Sequence, residues 1–169
     1  KSCMTRINPD IQIMLRTNFF IPEESVNKME NALAPYCKDY NGDGKTVVFI
    51  NNIYISEDNP AMLEMKRTNE QKVMVLLASG DTPIIFGNKD YIDSLNEQFP
   101  LFKTESMSNE NSNIIKLNDF EFMKQNSIEL EDDIYIGMVD YSGRKGDILK
   151  KFNQSKEFLD NLLNNRVVK

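Results

Sequence analysis

Strand-like and helix-like segments alternate over the first part of the chain, and this alternation constrains the fold more than any other feature. Ile11, Ile13 and Leu15 recur with a period of two, which is typical of a partly buried strand. The β-branched and apolar run around Val48 lacks alternation, which indicates a strand covered on both faces. The pattern predicts strands at residues 10–17, 46–52 and 82–86.

Each of these strands is followed by a segment with helical periodicity. The predicted helices cover residues 22–38, 60–79 and 89–98. In the second helix Met65 and Leu76 are expected to face inward, and Gly80 is placed to end the helix. Because a crossover helix joins parallel strands, the strands at 10–17 and 46–52 are expected to be parallel neighbours.

The second part of the chain has a different pattern. Residues 104–113 are rich in Ser, Asn and Glu and predict an exposed polar excursion. Strands are expected at 114–122 and 133–141, followed by an amphipathic helix with Ser155 as its N-cap. A chain of 169 residues suits one core. We therefore predict a single α/β domain over residues 1–169, with three layers and a mainly parallel sheet that carries helices on both faces.

The chain is acidic and has no histidine. Its formal net charge of -6 repels phosphate backbones, so we expect no nucleic-acid partner. The absence of histidine removes the commonest general base and the commonest zinc ligand. We therefore predict that the protein is not an enzyme and needs no cofactor, with calcium as the only candidate ion.

The most specific local motif is Asp-Tyr-Asn-Gly-Asp-Gly-Lys at residues 39–45. Oxygen side chains at positions one, three and five, with a glycine at six, are typical of a calcium loop. The bidentate Glu expected at position twelve is replaced by Ile50. We interpret the segment as a turn. The alternative is a calcium site formed by Asp39, Asn41, Asp43 and Lys45.

Polar and aromatic side chains lie at the predicted strand ends, where open α/β sheets bind ligands. Ordinary core packing also explains the aromatic residues. A small-ligand receptor, the first alternative function, would use Asn18, Phe19, Tyr54 and Asn88. The second alternative is a carboxylate-dependent enzyme that uses the acidic run at residues 129–133.

Residues 70–86, EQKVMVLLASGDTPIIF, form a lysine-bearing helix that ends in Leu-Ala-Ser-Gly-Asp and leads into the third strand. Together with the preceding elements and residues 90–98, this stretch resembles the first lobe of bacterial extracellular solute-binding proteins. Residues 147–163 resemble the returning helix of that lobe, and one polar loop stands where the second lobe is inserted. The chain thus resembles a single lobe of the periplasmic-binding-protein-like type II fold.

The resemblance implies a doubly wound sheet, export from the cytoplasm and no catalysis. The leading hypothesis is an extracytoplasmic bacterial binding or interaction domain, secreted or membrane-tethered, whose partner is a protein or small molecule at the cell surface. Since the chain begins with Lys1, we expect membrane contact only through an anchor that precedes it. Cys3 and Cys37 are compatible with one disulfide or with free thiols.

Overall fold

A computed structural model of the chain describes residues 8–103 and 115–168. Within these residues one five-stranded sheet has the order β2-β1-β3-β5-β4. Strands and helices alternate along the chain, which confirms the α/β class. The strands are β1 (Ile11–Thr17), β2 (Val48–Tyr54), β3 (Ile84–Gly87), β4 (Ile115–Lys116) and β5 (Tyr135–Met138).

Helices fill the connections that the described residues cover. They are α1 (Glu23–Leu33), α2 (Leu63–Ser79), α3 (Lys89–Gln98), α4 (Glu121–Gln125) and α5 (Asp147–Leu163). Short 3-10 segments adjoin three of them at Ala34–Tyr36, Pro60–Met62 and Leu117–Asp119. Gly80 ends α2 in the left-handed conformation, as the sequence predicts. No helix in the described ranges is sufficiently long and apolar to cross a bilayer.

The first three strands are parallel, which confirms the predicted pairing of the first two. In this register Ile13 pairs with Ile50 of β2 and with Ile84 of β3. β5 runs antiparallel to both of its neighbours, β3 and β4, so the sheet is mixed around a parallel core. The polar excursion predicted at 104–113 lies outside the described residues.

The strand predicted at 114–122 is wrong. Only Ile115–Lys116 pairs in the sheet, and the chain then forms a 3-10 turn and α4. In the 3-10 turn the side-chain oxygen of Asn118 accepts the Ile134 N–H at 2.8 Å and its amide donates to the Asp132 carbonyl at 3.3 Å, so the turn is bonded to the residues before β5. The following apolar residues are buried from a helix instead of a strand.

Two predictions about helices are also wrong. Ser155 does not cap the last helix, because α5 begins at Asp147 and Ser155 is buried in its interior. α5 covers the residues 147–163 that the sequence analysis compared with a returning helix, and the resemblance itself stays a prediction. Met65 is 51% exposed, since the buried stripe of α2 is confined to its second half, at Val73, Leu76 and Leu77.

The ends of the strands form two opposite sides of the sheet, called the carboxyl edge and the amino edge below. The carboxyl edge is the side where β1, β2 and β3 end and β5 begins, at Thr17, Tyr54, Gly87 and Tyr135. The amino edge is the opposite side. Core side chains such as Leu15 and Phe86 are fully buried between the two edges, so loops and helix ends form the accessible surface at each edge.

Candidate functional site

Two of the four predicted ligand residues meet at the carboxyl edge. The backbone N–H of Asn18 donates to Oδ1 of Asn88 at 2.8 Å, although the two residues belong to different strand ends. Asn88 and the neighbouring Phe19 are buried, whereas Asn18 is exposed. The Asn88 side chain therefore fixes the chain as it leaves β1, and Asn18 faces the solvent.

An acidic cleft lies beside Asn18. It has a volume of about 350 Å³ and lies where β1 and β2 end and where the chain approaches β5. The structure thus brings the predicted residues Asn18 and Phe19 next to part of the acidic run. The lining residues are Asn18, Phe19, Ser56, Glu57, Asp58, Glu131 and Asp132.

Tyr54 has a packing role. Its ring meets Phe20 edge-on, with the ring centroids 6.2 Å apart. Its carbonyl accepts a hydrogen bond from the Asn69 side chain at 2.7 Å, which ties the end of β2 to α2. Tyr54 and Asn88 are not among the residues that line the acidic cleft.

A second concavity lies at the same edge, between α2 and α3. This groove, called the Arg16 groove below, has a volume of about 300 Å³. Val73, Met74 and Leu77 form an apolar wall from α2, and Leu95 faces them from α3. The remaining lining residues are Arg16, Ile55, Glu70, Tyr91, Ser94 and Gln98.

Arg16 is unpaired in this groove. Its guanidinium carbon lies 4.4 Å from the centroid of the Tyr91 ring, a cation–π contact. Its Nε atom and the Tyr91 hydroxyl are both buried without a hydrogen-bond partner, whereas the two terminal nitrogens of Arg16 are not closed off. No carboxylate of the described chain forms an ion pair with Arg16.

Unpaired buried donors destabilise a fold, typically by about 1–3 kcal/mol for each group. Burial raises the pKa of Tyr91, and the nearby Arg16 charge opposes this rise only in part. The hydroxyl therefore stays protonated at neutral pH and remains a hydrogen-bond donor. The groove offers a positive charge to a ligand, and the buried Tyr91 hydroxyl lies behind it.

Local geometry explains why Arg16 and Tyr91 meet. Arg16 lies one residue before the end of β1 and pairs with Gly87 of β3. A Cβ atom at Gly87 would lie 2.8 Å from the Arg16 carbonyl oxygen and 3.2 Å from the Tyr91 ring. Glycine at this position therefore permits the close approach of β3 and of the first turn of α3.

Sequence reasoning missed Arg16. One signal was available, since Arg16 is the only charged residue in the otherwise uncharged strand Ile11–Thr17. Charged residues are rarely buried unless they are paired. The sequence does not show which residues pack around Arg16, and Tyr91 lies far along the chain.

The predicted calcium loop lies at the amino edge, far from both concavities. Asp39 accepts the Gly42 and Gly44 N–H groups at 3.1 and 2.8 Å. The side-chain oxygen of Asn41 accepts the Asp43 N–H at 3.2 Å, and Asp43 accepts the Lys45 N–H at 2.9 Å. These contacts are those of a hydrogen-bonded turn, and calcium binding there stays a prediction.

Asp10 connects this loop to the sheet. It is 7% exposed, and its two carboxylate oxygens accept the Asn41 N–H at 3.1 Å and the Val47 N–H at 2.8 Å. Cys37 lies nearby as a buried thiol, while Cys3 lies outside the described residues. Burial, and then the charges of Asp10, Asp39 and Glu157, raise the pKa of Cys37 to about 12.

A third concavity, of about 520 Å³, runs between α1 and the outer strand β2. Its central carboxylate, Glu30, accepts the backbone N–H of Ile50 at 2.8 Å. Burial raises the pKa of Glu30, and the bond from Ile50 opposes the shift. Glu30 therefore covers an exposed strand edge, which is a structural role.

No group of three or more metal-ligating side chains is placed to hold a metal ion within residues 8–103 and 115–168. Comparison with protein-family models, with curated proteins and with solved structures finds no significant match. The resemblance to solute-binding proteins therefore stays a prediction.

Proposed function

We propose that this chain is a binding domain without catalysis that acts outside the bacterial cytoplasm and holds a small molecule at the carboxyl edge of its sheet. One observation carries the proposal: Arg16 lines an open groove, stacked on the Tyr91 ring, and forms no ion pair with any carboxylate among the described residues. A guanidinium without a carboxylate partner keeps its accessible terminal N–H groups for a ligand. An anionic ligand would supply the missing partner.

The position of the groove in the sheet supports the proposal. β2 and β3 lie on opposite sides of β1, so the connection from β1 to β2 through α1 and the connection from β2 to β3 through α2 run in opposite directions across the sheet. Right-handed crossovers then place α1 and α2 on opposite faces, and we propose the three-layer arrangement of one solute-binding lobe. Open sheets bind ligands outside the carboxyl ends of the strands where the strand order reverses in this way.

Export from the cytoplasm is the part of the proposal that depends on the sequence resemblance over residues 70–86 and 147–163. Its test is the gene sequence upstream of Lys1. A signal peptide or a membrane-spanning helix encoded there would support export. Direct continuation into a cytoplasmic domain would contradict it.

Binding at the carboxyl edge is tested by nuclear magnetic resonance with mixtures of small fragments. Backbone amide signals of the residues lining the Arg16 groove are expected to move, while those of residues 39–45 stay in place. Ser94→Trp should abolish the shifts, because Ser94 lines the groove. Asn96→Trp is the matched control, since Asn96 is exposed on the same helix and is not a lining residue.

The same experiment can overturn the proposal. Shifts confined to the amino edge, or shifts that survive in Ser94→Trp, would place the site elsewhere. The alternative of a carboxylate-dependent enzyme is tested with panels of esters, phosphates and glycosides. Turnover lost in Glu131→Gln would replace the binding function with catalysis.

A further inference from the structure

We propose that the ligand of the Arg16 groove is a small organic monocarboxylate with an apolar substituent. This inference rests on the proposed function and names the class of molecule that the groove accepts. It follows from three features of the lining: the unpaired guanidinium, the apolar walls and one acidic residue.

The guanidinium defines the charged end of the ligand. Arginine presents its N–H groups as a planar fork that matches the two oxygens of a carboxylate. The terminal nitrogens of Arg16 are accessible, and its Nε donor has no partner among the residues described. A carboxylate in the groove can pair with the terminal nitrogens, whereas the Nε atom and the Tyr91 hydroxyl are buried and lie out of its reach.

The walls define the rest of the ligand. Val73 and Leu77 are buried behind the groove, whereas Met74 on its wall is 61% exposed. Exposed methionine side chains adapt their shape to apolar partners. A short aliphatic chain would cover Met74 and remove apolar surface from water, which favours binding.

Glu70 disfavours a second negative charge on the ligand. It lines the same groove as Arg16 but does not pair with it. A second carboxylate on the ligand would meet this negative charge, within a protein whose net charge is -6. The groove therefore favours a monocarboxylate over a dicarboxylate.

The experiment measures the affinity of the whole chain for three matched probes by isothermal titration calorimetry. 4-Methylpentanoate is expected to bind. 4-Methylpentanamide, which has nearly the same shape without the charge, should bind at least about tenfold more weakly because it cannot form the charge-assisted pair. Glutarate should also bind at least about tenfold more weakly.

Variants identify the group responsible. Arg16→Met should weaken the binding of 4-methylpentanoate at least about tenfold, and Arg16→Lys should also weaken it because lysine lacks the fork. Arg144→Met changes the net charge by the same amount at an exposed position and should leave binding unchanged. Thermal unfolding of each variant shows whether it is folded. If Arg16→Met does not fold, Arg16→Lys still tests the proposal.

The outcomes separate this inference from the proposed function. If the amide binds the groove as tightly as the acid, or if Arg16→Lys and Arg16→Met bind the acid as wild type does, the monocarboxylate assignment is wrong and the binding site stands. If the acid does not bind but neutral fragments move the groove signals, the monocarboxylate assignment is again wrong and the binding site stands. If neither the acid nor any fragment moves those signals, both proposals fall.

Discussion

The two edges of the sheet use their polar groups differently. At the amino edge the carboxylates of Asp10 and Asp39 each accept two backbone N–H groups. At the carboxyl edge Arg16 Nε and the Tyr91 hydroxyl are buried and have no hydrogen-bond partner among the described residues. Satisfied polar groups hold a loop in place, whereas unsatisfied ones mark a position where stability is lower than it could be.

The difference follows from the backbone. At the amino edge Gly42 and Gly44 adopt positive φ angles of 70° and 84°, which turn their amides toward Asp39. At the carboxyl edge the short connection between β3 and α3 brings Tyr91 over Arg16 and supplies no carboxylate. The loop at the amino edge thus completes its own hydrogen bonding, although the buried Thr82 hydroxyl just before β3 has no partner. At the carboxyl edge the Arg16 charge has no carboxylate partner among the described residues.

The largest expected effect concerns the thiol at the amino edge. With a pKa raised from 9.0 to about 12, Cys37 has roughly a thousandfold less thiolate in the native than in the unfolded chain at neutral pH. Its alkylation in the native protein should be slower by at least this factor. The measurement is the labelling rate with iodoacetamide in a Cys3→Ser background, with and without denaturant.

The sign of the accompanying pH dependence is fixed by the same shift. Because the pKa of Cys37 is higher in the folded than in the unfolded chain, the contribution of the protonated thiol to stability is complete below about pH 9. It is lost as the pH rises toward 12. Native labelling within tenfold of the unfolded rate would show that Cys37 is accessible and that the amino edge is open.

The next largest effect is expected at Asp10. Asp10→Ala removes two charge-assisted hydrogen bonds from a buried position and should lower the free energy of unfolding by about 2–4 kcal/mol. Urea unfolding measures it. Asp43→Ala is the control, since that exposed residue accepts only the Lys45 amide and should cost about 1 kcal/mol or less. Equal losses in both variants would contradict the structural role of Asp10.

The opposite result is expected at the carboxyl edge without ligand. Arg16→Met removes an unsatisfied buried donor and a cation–π contact and keeps most of the side-chain volume. We expect its free energy of unfolding to equal that of wild type or to exceed it by up to about 2 kcal/mol. A loss comparable to that of Asp10→Ala would mean that Arg16 is a structural residue.

The smallest expected effect is that of calcium. The Asp39 oxygens already accept backbone amides, so millimolar calcium should leave the melting temperature unchanged relative to chelator. A bound ion at a hundredfold excess over its dissociation constant would stabilise the protein by about 2.7 kcal/mol. An upward shift of several degrees that vanishes in Asp43→Ala would establish a calcium site at the amino edge.

Much of the fold could be predicted from local patterns. The bounds of α3 and the pairing of β1 with β2 follow from periodicity and from the crossover rule. The strand prediction at 114–122 is wrong. In that segment Asn118 bonds to Asp132 and Ile134 before β5, a contact that has no local signature in the sequence. The antiparallel direction of β5 also depends on such distant contacts.

The site was harder to predict than the fold. Asn18 and Phe19 lie at the carboxyl edge, where the parallel strands end together, and their role in ligand binding stays a prediction. Arg16 was not singled out from the sequence, because the absence of a carboxylate partner among the described residues depends on every element packed around it. Strand ends can therefore be located from sequence, whereas unsatisfied groups require coordinates.

The most direct test of this account is the Nε–H signal of Arg16 in proton–nitrogen spectra, assigned by its loss in Arg16→Lys. We predict that in the free protein this signal lacks the downfield shift of a hydrogen-bonded donor. It should move when 4-methylpentanoate saturates the groove, because a carboxylate at the neighbouring terminal nitrogens changes the charge distribution of the guanidinium. A signal already shifted downfield in the free protein would contradict the unpaired state of Arg16. A signal that does not move at saturation would contradict its role in binding.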